Sequence, residues 1–105
     1  TLSSFDKSLG EREKEYQLSI LVKKQELGSD EFSNDPIIKE LQTEIMRLDT
    51  LYNQSINDLN ELGYNDKIIQ TIFNIYEQKI FLLKLMILET NKKKSHENKQ
   101  NKHLL

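Results

Sequence analysis

The chain has 105 residues, 36% of them hydrophobic and 30% charged, with one proline, three glycines and no cysteine. That length bounds it to one domain, and that composition suits long solvated helices. Disulfides, thiolate metal sites and cysteine nucleophiles are excluded. The net charge is −2, with an excess of +4 in residues 91–105 and −6 in the rest, so the body is a poor surface for phosphate backbones.

In chain order, Phe5 and Leu9 open an apolar face that Tyr16, Ile20 and Leu27 resume after the charged stretch Gly10–Lys14. The spacing predicts a first helix over about 4–27, weakened at Gly10 and ended by Gly28-Ser29-Asp30. The sequence begins at Thr1, and no signal-like apolar segment precedes Phe5, which points to an intracellular chain.

Asp35-Pro36 marks the start of a second helix, because the carboxylate can accept an orphan N–H and proline is tolerated at the first helical position. A 3-4 alternation follows through Ile38, Leu41, Ile45, Leu48, Tyr52, Ser55, Leu59 and Leu62. That is the seam of a helix packed lengthwise on others, and Leu51 and Ile56 widen it to bundle width. Gly63 closes the helix at 36–62.

A third helix is predicted over 66–91, capped by Asn65 or Asp66. One stripe runs through Ile69, Ile72, Tyr76, Ile80, Leu83 and Ile87, while Phe73, Phe81, Leu85 and Leu88 lie off it. The one-glycine connection makes helices two and three an antiparallel hairpin. The expected fold is therefore all-α. Three long antiparallel helices over residues 1–90 form a small bundle, followed by a disordered basic tail at 91–105.

The run from Ile80 to Leu88, broken only by Lys84, is the most informative stretch. Nine residues rise about 13 Å as a helix, against the roughly 20 residues a membrane span needs, so no membrane insertion is expected. A helix apolar on nearly every side asks for a second surface. That reading makes Tyr76, Ile80, Phe81, Leu83, Leu85, Met86 and Leu88 a protein interface, with a homodimer preferred over another helical partner. Coverage by the first helix within the same chain is the alternative.

Enzyme chemistry is not suggested. His96 and His103 are seven residues apart in the tail, without the spacing of a zinc protease. Glu40/Glu44 and Glu11/Glu15 lack the inward histidines of a di-metal bundle. Asp58, Asn60 and Gly63 echo a calcium loop whose twelfth position is Ile69 rather than glutamate. No metal and no cofactor are expected. Lys92, Lys93, Lys94, Lys99 and Lys102 offer charge without arginine or aromatic readout, an alternative role on a polyanion such as nucleic acid.

The stretch from Ile56 to Leu88, INDLNELGYNDKIIQTIFNIYEQKIFLLKLMIL, resembles the ubiquitin-associated domain in outline. Leu62-Gly63-Tyr64 stands where that family has its Met-Gly-Phe-type loop. The resemblance covers about a third of the chain and implies a ligand-contacting loop at those three residues. It also implies a break between two helices near Glu77, where this sequence has neither glycine nor proline.

Overall fold

The computed structural model describes the backbone of residues 2–104 and the side chains of residues 2–95. Among the described residues there are three long helices and no strand: α1 (Lys7–Leu27), α2 (Pro36–Leu62) and α3 (Asp66–Leu104). Successive helices are antiparallel, so α1 and α3 run the same way. Arg12 lies over the Phe73 ring, and Tyr16 reaches Glu77. In the opposite sense, Asp49 meets Lys79 and Asp35 meets Lys93.

Helix α2 occupies the span its sequence signals mark. The Asp35 carboxylate accepts from the Ile37 amide at 2.8 Å, and Gly63 turns the chain at a φ of 80° that side chains other than hydrogen resist. The seam holds for Ile38, Ile45, Leu48 and Leu59, all buried, but Leu62 at the helix end is exposed. Asn65 caps α3 by accepting from the Ile68 amide at 3.0 Å.

The N-terminus differs from expectation. A 3-10 turn (Leu2–Ser4) precedes α1, and the helix starts at Lys7 because Asp6 accepts from the Ser8 and Leu9 amides. Gly10 is not a weak point. A Cβ on it would sit 2.6 Å from Cβ and 2.8 Å from Cα of Ser3, so the missing side chain lets the turn lie on α1. Leu2 is thereby fully buried.

Helix α3 also departs from its expected span. It runs past Asn91, and Lys93 and Lys94 form ion pairs at 3.2 Å with Asp35 and Asp30, tying it to the α1–α2 connection. The disordered tail expected from residue 91 falls, beyond Ser95, outside the fully described residues. The helix is unbroken at Glu77, which removes the structural basis of the ubiquitin-associated resemblance, since that family needs two helices there. No helix among the described residues is long and apolar enough to cross a membrane.

Candidate interaction surface

Two features of α3 define the site: what it buries and what it leaves out. Its inner side carries Ile69, Ile72, Phe73, Ile75, Tyr76, Leu83 and Met86 into the core. Across from Tyr76, α1 contributes an unusual core residue, the buried carboxylate of Glu13. The Tyr52 and Tyr76 hydroxyls both donate to Glu13 Oε2 at 2.9 Å, and the Leu2 amide donates to Oε1 at 3.4 Å. Gln17 donates to the Tyr76 hydroxyl at 3.2 Å, and Tyr76 stacks on Tyr16 with ring centroids 5.5 Å apart. One carboxylate thus joins all three helices and the N-terminal turn.

The electrostatics of this cluster favour neutral phenols. Burial pushes Tyr76 well above the usual tyrosine range, and its contact with Tyr52 and the nearby charge of Glu13 push the same way. Tyr52 is raised mainly by burial, with Glu13 adding to the shift. A buried charge held by hydrogen bonds is costly to form and more costly to strip of its partners. The cluster is therefore suited to fixing how the helices dock. An open groove of about 240 Å³ lies beside it, lined by Gln17, Ile20, Asp49, Tyr52, Ile75, Tyr76 and Lys79. The charges at its edge are already paired, Lys79 with Asp49 at 2.6 Å.

The outer side of α3 is different. Counting about 100° per residue, Phe81, Leu85 and Leu88 fall within an arc of about 60°. Leu83, Met86 and Tyr76 point to the opposite side. Phe81 and Leu88 are 59% and 64% exposed, and Leu85 is half-buried. The stripe's spacing of four and then three residues is the spacing found in helix-packing seams.

The structure therefore divides the seven residues that the sequence groups as an interface. Tyr76, Leu83 and Met86 lie in the core of the chain, and Ile80 and Leu85 are half-buried. Phe81 and Leu88 face water. The sequence also leaves unmarked a second exposed apolar group, Leu18, Leu21 and Val22 on α1. They occur beside that helix's seam, and only the phase of α1 relative to Ile20 shows that they point outward.

Of the basic residues, Lys92 is exposed, whereas Lys93 and Lys94 already have carboxylate partners. Lys99 and Lys102 lie outside the residues whose side chains are described. At the loop suggested by the ubiquitin-associated outline, Leu62 and Tyr64 are exposed around Gly63. Their helix-end position accounts for that exposure. Among the described residues no group of three or more His, Asp or Glu is placed to hold a metal ion.

No family model, curated protein or solved structure matches this chain. The functional reading therefore rests on the chain's own residues.

Proposed function

We propose that this chain is a non-enzymatic helical protein–protein interaction module, an assembly subunit that associates with a second copy of itself through the outer face of α3. The observation that carries the reading is the Phe81–Leu85–Leu88 stripe, spaced as a helix-packing seam on a helix whose opposite side is already filled by the chain's own core. In a pair of copies four such side chains are buried, Phe81 and Leu88 of each, and since each is already partly covered it contributes about 1–2 kcal/mol. The cost of bringing two chains together is subtracted from that sum. This scale supports reversible association rather than an obligate dimer.

The test is solution mass by light scattering from about 1 µM to about 1 mM, the range such energies address. The wild-type chain is expected to move from monomer towards dimer, and Leu88→Asp to remain a folded monomer throughout. A wild-type chain that stays monomeric overturns self-association. So does a Leu88→Asp variant that associates as the wild type does.

A further inference from the structure

The charges that flank the stripe bear on how two copies would meet. Glu77 lies four residues before Phe81, and Lys92 lies four after Leu88. Both fall on the same outer arc as the stripe, within about 60° of Phe81 on either side. The Glu77 carboxylate also accepts from the Tyr16 hydroxyl at 2.8 Å, which steadies it at the stripe's edge. Lys92 is exposed. Each copy therefore presents an apolar centre with an acid at one end and a base at the other, about 22 Å apart along the helix.

Resting on the self-association proposed above, the geometry points to an antiparallel, two-fold symmetric pairing of α3 with α3 of a second copy, in which Glu77 of each chain meets Lys92 of the other. A two-fold axis passing near Lys84 and Leu85 does this without adjustment. It sets Phe81 against the second copy's Leu88 and brings the two Leu85 side chains together at the centre. The interface is then isologous and closes on itself, so it stops at two copies.

The parallel, in-register arrangement is the competitor, and charge separates the two. Parallel pairing sets Glu77 against Glu77, Lys84 against Lys84 and Lys92 against Lys92, three like-charge layers. Antiparallel pairing converts the two outer layers into opposite-charge contacts and leaves only the Lys84 pair, exposed on the rim. Like charges set directly opposite disfavour a pairing, and flanking charges choose helix orientation in this way. Glu89, half-buried, lies about 140° round the helix from Lys84, on the other flank of the stripe, so the Lys84 repulsion is eased only by exposure to water.

The experiment uses the full chain with Glu77→Lys and Lys92→Glu, separately and as an equimolar mixture, by analytical ultracentrifugation at about 50 mM salt, where screening is weak. Circular dichroism confirms that each variant is folded, and Lys92→Glu leaves the Tyr16–Glu77 hydrogen bond untouched. Each variant alone is expected to associate at least about five-fold more weakly than wild type, because two exposed attractions become repulsions. The mixture is expected to return to wild-type affinity as a heterodimer. Single variants that dimerise as tightly as wild type overturn the antiparallel pairing, as does a mixture no tighter than the single variants. Those outcomes leave self-association standing if Leu88→Asp still dissolves the dimer. A monomeric wild type sinks both.

Discussion

Phe73 and Phe81 sit about two turns apart on the same helix, and the chain uses them in opposite ways. Phe73 is 1% exposed, with the Tyr16 ring centroid 5.7 Å away and the Arg12 guanidinium over its face at 4.0 Å. Phe81 carries the same side chain and is mostly in water. Residue type does not distinguish them; helical phase does. The inner side of α3 faces α1 and α2, which fill it, while among the described residues no other helix covers Phe81 and Leu88 on the outer side. A helix that is apolar on both sides thus folds the chain with one and leaves the other open to the association proposed above.

The sharpest way to break that comparison is to truncate both phenylalanines in a dilute, monomeric sample. Phe73→Ala is expected to cost about 3–5 kcal/mol in a denaturant melt, through lost burial and the cavity left behind. Phe81→Ala is expected to stay within about 0.5 kcal/mol, as surface changes usually do. Equal losses would mean that the outer face is covered within the monomer.

A smaller effect is expected at the carboxylate that docks the inner side. Glu13→Ala leaves the Tyr52 and Tyr76 hydroxyls without their shared acceptor and opens space at the three-helix junction. Chemical denaturation should show a loss of about 2–4 kcal/mol. A neutral result would mean that water replaces the carboxylate without penalty.

The smallest effect belongs to the N-terminal turn. Gly10→Ala raises helix propensity by about 1 kcal/mol, yet its methyl cannot coexist with Ser3 as placed. Lifting the turn exposes Leu2, whose burial is worth about 2 kcal/mol. A net loss of about 1 kcal/mol is expected, together with faster amide exchange in the first residues of the chain. A stabilised variant with unchanged exchange would show that the turn does not need the glycine.

Much of the fold is legible because local chemistry and long-range packing agree. Asp35-Pro36 and Gly63 bound α2 through capping chemistry that needs no tertiary contact, and Asn65 does the same for the start of α3. The N-terminus is illegible for the opposite reason. Gly10 reads as a helix weakness, and only the return of Ser3 shows what its missing side chain is for.

Glu13 lies within the charged stretch Glu11–Glu15, which hides it. Its register was nevertheless available, four residues after Leu9 and three before Tyr16, on the seam of α1. Tyrosines at seam positions of the other two helices supplied the matching donors. The division of the Ile80–Leu88 run could not be read from the run itself, since periodicity gives several apolar stripes and the packing of α1 and α2 chooses between them. Phe73 and Met86, both off the expected stripe, are buried by that choice.

The most direct test of this two-sided helix is the thermal midpoint of unfolding, followed by circular dichroism across about a hundred-fold range of concentration, for wild type and Leu88→Asp. Association of the folded state makes the midpoint rise with concentration. The wild-type midpoint is expected to climb, and the Leu88→Asp midpoint to stay flat at the wild type's dilute limit. Two flat lines would contradict the associating outer face, and a Leu88→Asp chain already unfolded when dilute would place Leu88 in the core instead.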